Sequence, residues 1–171
     1  MLNAFDYTRE NGIPHWNDYP SDYKVRKNSE CHASETKGER FYNSGGVEID
    51  DISNEEMKRL ISKGPIGVAI ASDLRCMMSY QGGIIGETEC KCSDPNTKEV
   101  NHAVTVVGYG KATRLEQFNG NGCSEYWLIK NSWGTYWGEG GLFKLCADRF
   151  GPTAQYGTCQ INSYAMYPTL E

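Results

Sequence analysis

Only three histidines occur in the 171 residues, and one of them, His102, stands immediately ahead of the apolar run Ala103 to Val107, which closes in Gly108-Tyr109-Gly110. That spacing puts an imidazole at the mouth of a strand. Downstream, Tyr126 to Lys130 reads as a buried strand that ends at Asn131 and hands over to a glycine-rich segment carrying Trp133 and Trp137. An Asn side-chain oxygen that accepts from one ring nitrogen of a histidine fixes its tautomer and frees the other nitrogen to act as a base. An indole such as Trp133 would keep water off that bond. The bland alternative is a core histidine beside a strand end and a tryptophan-rich apolar patch. Residue types alone leave both open.

Such a pair needs strands to hold it. After Pro65 the texture is β: Ile66 to Ile70, Ala103 to Val107, Tyr126 to Lys130, Leu142 to Leu145, and a last stretch around Tyr164 to Tyr167. Strands separated by long irregular loops, with no alternating helices, argue for an antiparallel sheet or barrel with one or two helices attached. The polar stretch Lys111 to Gly122 reads as a loop inserted between two hairpin strands. Residues 2 to 11 read as a helix, with Gly12 as its left-handed stop. A second helix opens at a capping box of Ser53 and Glu56, presents Met57, Leu60 and Ile61 on one face, and stops at Gly64-Pro65. Glu48, Asp50, Asp51, Glu55 and Glu56 gather near its amino end, where the helix dipole favours negative charge, a solvated cluster rather than a cation site. From Ile13 to Gly46 no period holds, and an extended, turn-rich segment is expected.

Composition narrows the classes. With 39% apolar and 23% charged residues the chain is a folded globular one of single-domain length. A net charge of −5 argues against nucleic acid as a partner. No apolar run reaches the roughly 18 residues of a membrane span, and charges within the first ten positions do not suit a signal peptide. Seven cysteines suit a secreted or lysosomal protein, and the odd count leaves one unpaired. Disulfide-like composition without a leader suggests a piece of a longer precursor. No Asn-x-Ser/Thr acceptor occurs to mark a compartment.

The chain resembles the carboxy-terminal half of papain-like cysteine peptidases, with the texture of the cathepsin L branch. The resemblance runs through Ala4-Phe-Asp-Tyr7, Glu10-Asn-Gly-Ile13, Tyr19-Pro20, Gly64-Pro-Ile-Gly-Val68, Tyr80-Gln-Gly-Gly-Ile84, Asn101-His-Ala-Val104, Val107-Gly-Tyr-Gly110, Asn131-Ser-Trp-Gly-Thr-Tyr-Trp-Gly-Glu139 and Tyr167-Pro168. It implies an α+β fold: an antiparallel β-barrel-like domain with short helices over residues 51–171, preceded in 1–50 by a remnant of the interdomain segment. It implies that His102 is the general base and acid, Asn131 its orienting partner and Trp133 the shield. Ala69, Ala103 and Tyr164 would line the main specificity pocket, which Tyr164 would shorten. Met77 would lie on the leaving-group side, and Trp137 would contribute to substrate binding. No metal or organic cofactor is implied.

The departure is large. The nucleophilic cysteine, the Gln that donates to the oxyanion and their helix normally precede the first residue here, so the thiolate and that donor are absent. Gln117 and Cys123 echo the family's Gln-to-Cys spacing, but they sit in a polar loop feeding a strand, and Ser124 stands where the family's Trp follows its Cys. By the resemblance, Cys159 pairs with Cys90 or Cys92 across the base of the domain. Cys31 matches a position whose partner lies in the missing half, so it is expected free or cross-linked to another chain. Cys76, Cys123 and Cys146 have no counterpart. The spacing of Cys90, Cys92 and His102 fits no common zinc pattern.

Two functions compete. One is the base half of a cysteine endopeptidase acting on protein or peptide substrates, the cysteine coming from upstream sequence or a separate chain, in a lysosomal, vacuolar or secreted setting after processing. The other is a catalytically inactive papain-like scaffold within a larger assembly, intracellular if Met1 is a true start.

Overall fold

A computed structural model describes residues 1–19, 31–72, 75–86, 90, 92, 99–119, 122–148 and 156–170. Pro20 and the middle of the turn-rich segment lie outside them. The chain forms two compact units, Glu48–Tyr167 and the smaller Met1–Val47 with Pro168–Glu171.

The smaller unit opens with α1, Leu2–Asn11, whose last turn closes when the Gly12 N–H reaches the Thr8 carbonyl at 2.9 Å. Gly12 sits at φ 67°, where a side chain is disfavoured. None of the residues of α1 is buried. Two short antiparallel strands follow, β1 (Ile13–Pro14) and β2 (Arg40–Phe41). Arg40 clasps the unit: its guanidinium donates to the Asn11 carbonyl at 2.9 Å, to Thr36 Oγ1 at 2.7 Å, and to the Ala33 carbonyl. Cys31, exposed and free, lines an apolar cavity of about 360 Å³ with Tyr7, Ile13, Trp16 and Tyr19.

The remaining elements are β3 (Gly45–Asp50), α2 (Asn54–Ile61), β4 (Ile66–Ile70), α3 (Arg75–Met78), β5 (Ile84–Ile85), β6 (His102–Lys111), α4 (Arg114–Asn119), β7 (Glu125–Lys130), β8 (Leu142–Cys146) and β9 (Tyr164–Thr169). The sheet order is β3-β9-β4-β6-β7-β8-β5. The fold is α+β with a mostly antiparallel sheet and few helices, as expected. The barrel-like sheet does not close, because among the described residues its end strands, β3 and the two-residue β5, are not paired with each other. The β5–β8 pairing is also parallel, unlike the antiparallel pairs around it.

Period-2 alternation decides which face is buried. In β4, Ile66, Val68 and Ile70 are buried while Gly67 and Ala69 are half-buried. Their register partners Val106 and Val104 on β6 are buried too. Trp127 and Ile129 of β7 and Phe143 and Leu145 of β8 complete that layer, all fully buried. Each such side chain contributes about 1.5–3 kcal/mol relative to exposure. Helix α2 covers the layer through Met57 and Leu60. The Ser53 half of the expected capping box forms, with Ser53 Oγ accepting from the Glu56 N–H at 3.1 Å, while the Glu56 carboxylate accepts from Arg59 instead. No helix among the described residues is long and apolar enough to cross a membrane.

The stretch from Lys111 to Gly122, read above as a loop, contains α4 instead. Thr113 and Glu116 form a second capping box: the Thr113 N–H donates to Glu116 Oε2 at 2.9 Å, and Glu116 N–H to Thr113 Oγ1 at 3.3 Å.

Three disulfides staple the larger unit: Cys76–Cys90, Cys92–Cys159 and Cys123–Cys146. Cys159 therefore takes Cys92, and Cys90 is used by Cys76. Cys123–Cys146 centres a small satellite core with Ile84 and Ala112.

Candidate active site

His102 opens β6 and is the register partner of Ile70, the last residue of β4. Asn131 follows the last residue of β7, and its backbone N–H donates to the Gly141 carbonyl at 2.9 Å. Two adjacent strand ends thus bring the two side chains within reach. His102 Nε2 lies 2.9 Å from Asn131 Oδ1, and the same oxygen accepts from the Ser132 N–H at 2.8 Å. These two contacts decide the tautomer. A backbone N–H can only donate, so the Asn131 atom facing it is the oxygen, and an amide oxygen can only accept. Nε2 of His102 must therefore be the protonated donor, so in the neutral ring the Nδ1 lone pair is the one available as a base. The other end of the amide, Asn131 Nδ2, is buried without a partner among the described residues.

Aromatic rings cover this pair. Trp133 is stacked on the imidazole with centroids 5.3 Å apart and planes 28° from parallel. Trp137 meets Trp133 edge-on at 5.0 Å. Trp137 is itself held, its indole N–H donating to the Met77 carbonyl at 3.1 Å and its ring packing against Phe143 and Tyr80. It is only half-buried, but these contacts make it a support for Trp133 before any substrate arrives.

The three residues expected to line a specificity pocket come together. Ala69 and Ala103 are register partners on β4 and β6. Tyr164 precedes Ala165, the partner of Val68, so the β9 register sets it beside Ala69. Met77 departs from expectation: it is fully buried and cannot face a cleft. The register of α3 turns its neighbour outward instead. Met78 is 71% exposed and lines a depression of about 400 Å³ with Ser72, Asn101 and Trp133.

The sequence reading missed a polar cluster behind the tryptophans. Glu139 Oε1 accepts from the Tyr80 hydroxyl at 2.8 Å and from the Gly83 N–H at 3.1 Å. Its other oxygen lies 3.5 Å from Lys144 Nζ, which is 2.7 Å from Glu116. Burial first, and then the neighbouring Glu139, push the Tyr80 hydroxyl well above its ordinary value, so it stays a donor. Lys144 and the Thr113 cap hold the Glu116 carboxyl down at about 2. The Thr-x-x-Glu spacing at 113–116 was the available signal for part of this.

No metal chemistry is built from the cysteines first considered, since Cys90 and Cys92 are spent in disulfides. Cys123, Cys146 and Asp148 place ligand atoms within 4.8 Å of one another, but those two sulfurs are bonded to each other.

Comparisons with known proteins place the whole chain in a family. The family model for the papain family cysteine proteases matches residues 1–169. Cathepsin L of Sarcophaga peregrina is 34% identical over 173 residues, covering 99% of this chain and 44% of that protein. Cathepsin K of Gallus gallus is 33% identical with the same coverage. Among solved structures, the bromelain protease from Ananas comosus, in complex with an inhibitor, aligns with a TM-score of 0.76 and 30% identity, covering 99% of this chain and 69% of that one. The chain thus spans less than half the length of those curated relatives. With a family model matching residues 1–169 and relatives 33–34% identical along nearly its whole length, the chain belongs to the papain family of cysteine proteases.

Proposed function

We propose that this chain supplies the general base and acid, His102, and its orienting partner, Asn131, of a cysteine endopeptidase whose nucleophilic thiol lies outside these 171 residues, upstream or on a separate chain. The observation that carries the reading is the Asn131 oxygen held by both Ser132 and His102, which commits Nε2 to that bond and leaves Nδ1 as the ring nitrogen free to exchange a proton with a thiol. All six cysteines of the larger unit are paired, so that unit holds no thiol of its own.

In the assembled site His102 Nδ1 takes the thiol proton, the thiolate attacks the scissile carbonyl, and His102 returns the proton to the leaving amine. It then activates water to release the acyl group. An extended protein substrate would set an apolar side chain near Ala69, Ala103 and Tyr164, with its leaving side over Met78 and Trp133. Three disulfides fit an oxidising compartment, lysosomal or secreted.

The test is the mass of the native protein before and after reduction, combined with an epoxide probe that traps papain-like thiolates. A companion chain or upstream segment that takes up the probe supports the reading. Native protein bound to a partner without a probe-reactive cysteine would overturn it in favour of an inactive scaffold.

A further inference from the structure

We propose that Glu139 is a positioning residue for the His102–Asn131 pair, anchoring the Asn131 to Leu142 loop in the arrangement that stacks Trp133 on the imidazole. The inference rests on the reading of His102 as the base.

The loop has little intrinsic reason to hold its shape. It contains no regular element, and its backbone closes through a few bonds: Trp137 N–H to the Gly134 carbonyl at 3.4 Å, Gly141 N–H to the Trp137 carbonyl at 2.8 Å, and Glu139 N–H to the Leu142 carbonyl at 2.8 Å. Gly138, at φ 59°, lies so close to the Leu142 carbonyl that an added Cβ would meet it at 2.5 Å. A chain this rich in glycine gives up much entropy on ordering. Something fixed must hold it.

Trp137 and Glu139 both tie the loop to its surroundings, and the Glu139 carboxylate does so at two separate places in the fold. That carboxylate binds Tyr80 and Gly83, on the segment between α3 and β5, and faces Lys144 of β8. Lys144 is in turn backed by Glu116 of α4. From Glu139 two routes lead to the site. Along the backbone, the residue two beyond it, Gly141, accepts from Asn131 N–H. Through the rings, Tyr80 packs on Trp137 at 5.5 Å, Trp137 on Trp133 at 5.0 Å, and Trp133 on His102 at 5.3 Å. Moving the carboxylate would disturb both Asn131 and the indole that shields its bond to His102.

Ring-current shifts of the carbon-bound His102 ring protons report the Trp133 stack directly, and they need no thiol. In the full chain, E139A is expected to move those resonances toward their unstacked positions. E139Q keeps the amide oxygen as acceptor for Tyr80 and Gly83, and is expected to restore the wild-type positions. Wild-type positions in E139A, or an equal displacement in E139Q, would overturn the proposal. Should E139A fail to fold, Y80F decides: it keeps the ring but removes the hydroxyl, so an intermediate displacement is expected and none would overturn. In the assembled peptidase, E139A is expected to lower kcat about tenfold with little change in KM. Absence of turnover with a Cys-bearing companion would sink the peptidase reading while leaving the resonance test intact. Normal turnover without displacement would sink the positioning role alone.

Discussion

The Lys144 ammonium lies 2.7 Å from the Glu116 carboxylate and 3.5 Å from that of Glu139, so one cation ties α4 to the loop that carries Trp133. The pair is about one-fifth exposed at each end. Its effect on stability has a definite pH signature. Hydrogen bonds from Lys144 and Thr113 lower the Glu116 value from 4.5 to about 2 in the folded protein. A folded-state value below the unfolded one means that the contribution is complete above about 4.5 and is lost as pH falls toward about 2. Urea unfolding should find E116Q less stable than wild type by about 1 kcal/mol at neutral pH. The gap should close by the acid end of that window.

Replacing Asn131 by Ala removes the oxygen that fixes the His102 tautomer. Nitrogen chemical shifts of the imidazole should change from a single Nε2–H form to a mixture. In the assembled peptidase kcat should fall by about 100-fold or more, toward the ~10⁴-fold loss that a base in the wrong tautomer suffers.

Trp133 is 39% exposed, so its contribution to the core is modest and its replacement by Ala should leave the fold standing. Solvent exchange of the His102 Nε2 proton should accelerate, because water can then compete for Asn131 Oδ1. Turnover should fall about tenfold, the equivalent of one competed hydrogen bond. Unchanged exchange would remove Trp133 from the role of shield.

The disulfides should rank by the loop each closes. Cys92–Cys159 spans 67 residues, Cys123–Cys146 spans 23 and Cys76–Cys90 spans 14. Paired Cys-to-Ala variants should lose about 4 kcal/mol for the first and about 3 kcal/mol for each of the others. Denaturant unfolding of the three double variants checks the order.

The legibility of this protein follows the range of the interactions involved. Capping at Ser53, the apolar face of Met57 and Leu60, and the alternation of Ile66, Val68 and Ile70 are written within a few residues, and the structure shows each of them. Helix α4 was equally local, but its capping box was hidden in a polar stretch whose composition resembles a loop. The choice between Met77 and Met78 was not local. Both are apolar neighbours in a four-residue helix, and only the position of the core beneath it decides which is buried.

The sequence by itself determined the residue types of the candidate site, His102, Asn131 and Trp133, and the places of His102 and Asn131 at strand ends, because strand periodicity and motif spacing are local properties. Tertiary structure alone decided which nitrogen of His102 carries the proton, which cysteine Cys159 takes, that the sheet stays open, and that Glu139 reaches Tyr80, Gly83 and Lys144. Each of these depends on atoms distant in the chain meeting within a few ångströms. That proximity is set by strand register and loop closure, which no local pattern encodes.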